Sequence, residues 1–486
     1  MTAMTAARTA RPARPAGLDS GPGRLTPSER AARGQEARAR APLDSHAAFG
    51  RPPGLPDPLT LLRQQAASRL PGLVPVRYGR MMVSPFAYFR GAALPMASDL
   101  AATPVSGLTV QACGDAHLSN FGLFGSAERR LVFDLNDFDE TLPGPWEWDL
   151  KRLAASLEIA ARDNGFSRKK RQGIVLSTVA GYRQAMRDFA GMSNLDVWYA
   201  SAGIDRLRAE FGPALSGKQL QRVNTGLAQA RTRDSMQAVS KLTRTVDGRP
   251  RIISEPPLLV PVDELITQRA RRQSYVAEVS GLLASYRRTL ATDRRHLLDQ
   301  FEFADMARKV VGVGSVGTRC WIVLMLGRDT GDPLFLQVKE AEQSVLSRFA
   351  GSSRYANQGQ RVVAGQRLMQ ASSDIFLGWQ HIDEGLDNRP RDFYVRQLRD
   401  WKFSPDIAAL IPRGMRMYGQ LCGWTLARAH ARSGDRIAIA AYLGSSDTFD
   451  RAVASFATAY ADQNERDHQA LLAAVASGRI AAEQGL

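Results

Sequence analysis

"KVVGVGSVGTRCWIVLMLGRDTGDPLFLQVKEA" (309–341) carries a glycine pattern that can be read in two ways, and its neighbours choose between them. Gly312, Gly314 and Gly317 form G-x-G-x-x-G. In a dinucleotide-binding fold this pattern opens a helix, and an acidic residue about twenty positions later holds the ribose. Here the apolar run "TRCWIVLML" (318–326) follows instead, with the character of a strand. The turn signal "GRDTGDP" (327–333) then leads into a further strand, "LFLQVKEA" (334–341). The spacing therefore predicts a β-hairpin whose glycines, with Ser315 among them, let backbone amides approach phosphate. The next strand carries Lys339. The chain has only eight lysines against fifty-six arginines, so a lysine just after this hairpin is a pointed placement. The plainer alternative is a surface lysine at a strand end.

Two hundred residues upstream, "CGDAHLSNFGLFGSAERRLVFDLNDFDE" (113–140) collects Asp115, His117, Asn120, Asp134, Asp137 and Asp139 in an otherwise basic chain. It reads as strand, polar loop, two short strands and acidic loop, followed by the Pro/Gly turn and long helix of "LPGPWEWDLKRLAASLEIAAR". A solvated turn is one account of the cluster. The other is a site that holds a hard cation and, through it, phosphate: Mg²⁺ takes one or two carboxylates and completes its shell with phosphate and water. Asp115, Asn120 and Asp134 are the right residue types, with Asp137 as support, each placed at a strand end or loop.

At this point the sequence resembles known enzymes. "GDAHLSN" is similar to the H-G-D-x-H-x-x-N catalytic loop of aminoglycoside-phosphotransferase-like and protein-kinase-like enzymes. That resemblance implies Asp115 as catalytic base, His117 as an orienting catalytic residue and Asn120 as a metal ligand. It also makes Asp134 of "VFDLND" the second metal ligand, and Asp149 of "GPWEWDLKRLA" a brace for the loop. Cys113 stands where the pattern has its first His. "LFLQVKEA" resembles the kinase V-A-I-K strand, which places Lys339 on the nucleotide phosphates beneath the 312–317 loop. The helix glutamate that kinases pair with this lysine is missing: either Glu342, Gln366 or Asp374 substitutes for it, or the pairing is absent. "LCGWTLARAHARSGD" (421–435) is similar to the L-A-x-x-H-A helix of small-molecule kinases, with His430 a packing residue.

Over most of its length the chain is similar to the bacterial family known as domain of unknown function 2252. The resemblance rests on "SPFAYFRGAA", "CGDAHLSNFG", "FDLNDFDETLPGPWEWDLKRLAASLE", "GVGSVGTRC", "GQRLMQASSDIFLGW" and "YVRQLRDWKFS". Together the resemblances imply an α+β, protein-kinase-like fold of two lobes, circularly permuted because the glycine loop and lysine follow the catalytic loop. The boundaries are a disordered Ala/Arg/Pro-rich tail (1–57), the catalytic-loop part of the large lobe (58–165), a mostly helical insertion (166–300), the small β-rich nucleotide-binding lobe (301–404) and the helical remainder of the large lobe (405–486). The implied activity is Mg²⁺-dependent phosphotransfer from ATP to a hydroxyl on a small molecule or protein, with transfer of AMP also open. Arg90 of "SPFAYFRGAA" is either a phosphate contact or part of an ion pair.

Composition bounds these readings. A net charge of +16 and a pI near 10.2 invite a nucleic-acid partner, but the arginines are scattered among alanines rather than clustered in a basic arm. A non-catalytic pseudokinase or basic nucleic-acid binder is one alternative. A dinuclear phosphoesterase is another, and six widely spread histidines count against it. Three distant cysteines without a CxxC suggest neither disulfides nor structural zinc. No run approaches the roughly twenty apolar residues that span a bilayer, so the expectation is a cytoplasmic protein without a membrane partner.

Overall fold

Four short strands frame the acidic region: β1 (Thr109–Ala112), β2 (Phe121–Gly125), β3 (Leu131–Leu135) and β4 (Leu142–Pro145). β1 pairs with β4 and β2 with β3, both antiparallel, and β5 (Ala202–Gly203) edges β3. β6 (Thr243–Val246) and β7 (Arg249–Ile252) form a separate hairpin. The remaining strands are β8 (Leu259–Pro261), β9 (Glu302–Lys309), β10 (Cys320–Leu326), β11 (Pro333–Glu340), β12 (Gly378–Ile382) and β13 (Arg391–Gln397). They make one antiparallel sheet in the order β12-β13-β11-β10-β9-β8. The computed structural model describes residues 25–203, 235–266, 281–383, 389–398 and 401–485, with 217, 221, 224–226, 228 and 279.

The glycine pattern lies where its flanking strands predict, in the connection from β9 to β10, and a single short 3-10 turn at Val313–Ser315 interrupts it. Period-2 alternation then sorts β11. Leu334, Leu336 and Val338 pack on Tyr286, Phe376 and Val395 on one face. Phe335, Gln337 and Lys339 point the other way: Phe335 meets Leu242 and Ile322, while Gln337 and Lys339 reach a cleft. The helix Gln358–Met369 connects β11 to β12 and packs against β12 and β13.

A helical unit lies across that cleft. Helix Trp146–Asp163 is buried over nearly its whole length and is flanked by helices Arg168–Gly191, Pro412–Ser433 and Thr448–Ala476. Helix Arg168–Gly191, placed by the sequence reading in an insertion, belongs to this core: Thr178, Val179 and Tyr182 are all buried in it. Its partner approaches closely because the facing residue is Gly423, where a Cβ would stand 2.4 Å from the Thr178 carbonyl. Of the expected helical stretch after it, most of 204–234, with most of "LAQARTRD", lies outside the described residues, while "SMQAVSKL" forms the helix Ser235–Leu242. The architecture is α+β, with strands and helices segregated. No helix among the described residues is long and apolar enough to cross a membrane.

The expectation of a disordered tail to residue 57 is corrected from residue 25 onward, while residues 1–24 lie outside the described residues. Helix Pro27–Arg40 starts with a capping box: Thr26 accepts from the Glu29 amide, and the Glu29 carboxylate accepts from the Thr26 amide at 2.7 Å. The tail was judged by its lack of large apolar side chains. Small ones suffice here, because Gly34 lets the helix approach so closely that a Cβ would stand 2.1 Å from the Ala438 carbonyl. Arg51 then ties the segment down, donating to Asp99 at 2.7 Å and to Asp467 at 2.9 Å.

Candidate active site

One cleft of about 410 Å³ lies between the sheet and the helical unit, and both diagnostic stretches of sequence line it. Asp115, His117, Asn120, Asp137 and Asp139 come from the acidic region. Gly312, Gly314, Ser315 and Lys339 come from the hairpin and its following strand.

The loop after β1 is held from behind. The Asp149 carboxylate accepts the amides of Cys113 at 2.6 Å and Gly114 at 2.9 Å. His430 Nε2 lies 3.1 Å from Asp149, and its Nδ1 lies 2.9 Å from the Tyr182 hydroxyl. Asp149 and His430 thus fill the bracing and packing roles that the sequence assigned, and the loop keeps its shape with Cys113 in place of the histidine. Gly114 adopts φ +82°, and a Cβ there would meet the Glu140 carbonyl at 2.4 Å. Only glycine fits where the loop after β1 crosses the acidic turn.

Asp115 stands at the cleft floor with one carboxylate oxygen held by the Arg152 guanidinium. Arg152 lies one helical turn beyond Asp149, so one face of one helix fixes both the backbone and the carboxylate of the loop. Sequence reasoning missed Arg152, although its i+3 spacing in "DLKR" was visible. Burial pushes the Asp115 carboxyl up to about 6, with Asp137 adding to the rise and Arg152 opposing it. His117 Nε2 lies 3.8 Å from Asp115 Oδ2, and His117 Nδ1 is buried without a hydrogen-bond partner. Burial, with Arg152 and Arg90 nearby, holds this imidazole well below the usual histidine range, so it is neutral at pH 7. The Asn120 amide donates to the Asp115 carbonyl at 2.7 Å, which leaves its own oxygen as an acceptor.

Asp134 is not part of the cleft. Its carboxylate is fully buried, 2.5 Å from Arg428 Nη2, and also accepts the amides of Leu135 at 2.9 Å and Ala371 at 2.8 Å. The assignment of Asp134 as a metal ligand is therefore corrected. Asp134 lies inside β3, where the pleat turns it onto helix Pro412–Ser433, whereas Asp137 and Asp139 lie past the strand end and face the cleft. Spacing along the chain does not register which side of a strand a residue occupies.

Lys339, 2% exposed, finds its partner in the same turn: Nζ lies 2.6 Å from Asp139 Oδ2 and 3.9 Å from Asp137 Oδ1. The Tyr394 hydroxyl donates to Asp139 at 2.6 Å, and the Ser315 hydroxyl at 3.2 Å. Burial alone would lower the Lys339 ammonium, but Asp137 and Asp139 more than offset it and hold it well above the usual lysine range. None of the three residues considered as substitutes for the helix glutamate pairs with this lysine. Gln366 donates to Gln370, Asp374 accepts from Phe376 and Gln397, and Glu342 lines the cleft.

Among the described residues, no group of three or more His, Cys, Asp or Glu side chains is placed to hold a metal by itself. His117 is the one histidine lining this cleft among the described residues. A nucleotide-borne Mg²⁺ asks less of the protein. Asn120, with its oxygen left over, and Asp137, a third exposed and past the strand end, are a fitting donor pair for an ion whose other ligands are phosphate oxygens and water. No curated protein and no solved structure matches this chain. The sequence model of the family described as "Uncharacterized protein conserved in bacteria (DUF2252)" matches residues 69–474, and the chain belongs to that family.

Proposed function

We propose that this protein is a Mg²⁺-dependent, ATP-using phosphotransferase with a permuted kinase-like arrangement, acting on a hydroxyl acceptor. One observation carries the reading: the 312–317 glycine loop, Lys339 on the following strand, the Asp137–Asp139 turn and Asp115 all border a single cleft. A glycine loop between two antiparallel strands, a lysine on the third and a helix before the fourth is the order in which kinases cradle phosphates.

In this reading Lys339 and the loop hold the donor phosphates, and Mg²⁺ at Asn120 and Asp137 would neutralise triphosphate charge. Asp115, largely ionised at pH 7 with a pKa of about 6, takes the proton of the acceptor hydroxyl. That oxygen bonds the γ-phosphorus, the bond from phosphorus to the bridging oxygen breaks, and ADP departs with the electron pair. His117, neutral and beside Asp115, orients the carboxylate without competing for the proton.

Thermal unfolding tests the proposal. ATP with Mg²⁺ at a hundred times its Kd should stabilise the native chain by about 2.7 kcal/mol. Asp137→Asn should remove the Mg²⁺ dependence of that shift. Asp134→Asn should instead lower the midpoint without ligand, because it leaves the Arg428 guanidinium buried and uncompensated at a cost of about 3–5 kcal/mol, while keeping the Mg²⁺ dependence. A wild-type chain that ATP and Mg²⁺ do not stabilise would rule the proposal out.

A further inference from the structure

Three arginines from the segment preceding β1 converge on the glycine loop, and two of them are committed to it. Arg69 donates to the carbonyls of Val316 and Gly314, and Arg80 to that of Val311 at 2.8 Å. The backbone is latched as well, with the Leu70 amide on the Gly317 carbonyl at 2.8 Å and Val316 packed on Leu73 and Val76. The third, Arg90, differs: it lines the cleft, and its Nε is buried without a hydrogen-bond partner.

The position of Arg90 is tightly fixed. The carbonyl before it, Phe89, accepts from Arg152 at 3.1 Å, and the carbonyl after it, Gly91, accepts from Arg77 at 2.8 Å. Arg152 also stacks 4.4 Å from the Phe89 ring while holding Asp115. Arg90 is therefore anchored, through one shared guanidinium, to the residue read as the catalytic base. Its other side faces the loop: a Cβ at Gly312 would stand 4.0 Å from Arg90 Nη2, and one at Gly314 would stand 3.4 Å from the Arg90 carbonyl. A half-buried guanidinium whose Nε has no hydrogen-bond partner, set between a phosphate-holding loop and a general base, stands where the phosphoryl group passes.

Resting on the reading of the cleft as a phosphotransfer site, we infer that Arg90 is a catalytic arginine supplied in cis, which binds the equatorial oxygens of the γ-phosphoryl group as it moves from ADP to the acceptor. Those oxygens carry charge in a loose transition state, and a preorganised guanidinium stabilises that charge more than it stabilises the ground state. Bond making and breaking stay as described above, and Arg90 neither gives nor takes a proton.

The test needs no knowledge of the acceptor. Mg²⁺·ADP binding to the full chain is titrated with and without aluminium fluoride, which mimics the planar phosphoryl group, for wild type, Arg90→Ala and Arg90→Lys. Aluminium fluoride should tighten ADP binding to wild type. Arg90→Ala should lose roughly a hundredfold of that gain while binding Mg²⁺·ADP alone as wild type does. Arg90→Lys keeps the charge and stem, and so controls for folding; it should recover part of the gain. Undiminished tightening in Arg90→Ala overturns the inference, as does an equal loss of ADP affinity with and without fluoride, which would make Arg90 a ground-state contact. Wild type that binds Mg²⁺·ADP without any fluoride effect also sinks it, but leaves the nucleotide reading standing. Wild type that binds neither Mg²⁺·ADP nor Mg²⁺·ATP removes both.

Discussion

Glu140 closes the acidic turn and meets the sheet side of the cleft: its carboxylate accepts the Val345 amide at 2.7 Å, and its carbonyl accepts from the Ser344 hydroxyl at 2.7 Å. Burial raises its carboxyl to about 7, with Asp115 and Asp139 adding to the rise. A raised carboxyl binds its proton more tightly in the folded chain than in the unfolded one. Its stabilising contribution is therefore complete below the unfolded value near 4.5 and fades as pH climbs through about 7. Asp115, raised to about 6, adds a slope of the same sign. Urea midpoints measured from pH 4.5 to 8 should consequently show a loss within that window. Glu140→Gln keeps an acceptor for Val345 and should remove up to about 3 kcal/mol of the loss. An unchanged slope in that variant would place the titration elsewhere.

The elements behind the loop after β1 are fixed by close approach as much as by apolar area. Helices Pro412–Ser433 and Arg168–Gly191 meet at Gly423, with no room for a Cβ beside the Thr178 carbonyl. Helix Pro412–Ser433 carries Arg428 to Asp134 and His430 to Asp149, so its depth sets the position of both β3 and the loop after β1. Gly423→Ala should force the helices apart and cost about 1–3 kcal/mol, the usual range for overpacking, as read by denaturant unfolding. An unperturbed midpoint would mean that the contact is looser than its geometry. The strands were legible from turn signals and alternation, and the glycine connection fell where "TRCWIVLML" put it. Asp134 shows where element-level reading stopped. Its residue type and interval suited a ligand, but only its face of β3 revealed a buried ion pair.

At the scale of the molecule, the chain ends support the site. Helix Pro27–Arg40 packs on helix Arg436–Leu443, and Arg51 joins Asp99 to Asp467, linking the first described residues to helix Thr448–Ala476. A chain that starts at residue 58 should lose at least the about 3–5 kcal/mol that leaving those two carboxylates unpaired would cost, and its melting midpoint should fall accordingly. A midpoint equal to that of the full chain would return the whole segment to the tail that composition suggested. The sequence by itself determined the strand–glycine–strand unit, the lysine strand and the Asp115–Asn120 loop, because periodicity, turn chemistry and short spacings are local, while the Asp149 brace followed from the resemblance to small-molecule kinases. Only the tertiary structure decided that Asp139 rather than a helix glutamate meets Lys339, that Asp134 belongs to Arg428, and that Arg90 comes to the glycine loop with its Nε unpartnered. Those juxtapositions join residues 200, 294 and more than 220 positions apart, and no local pattern encodes which groups meet when distant segments pack.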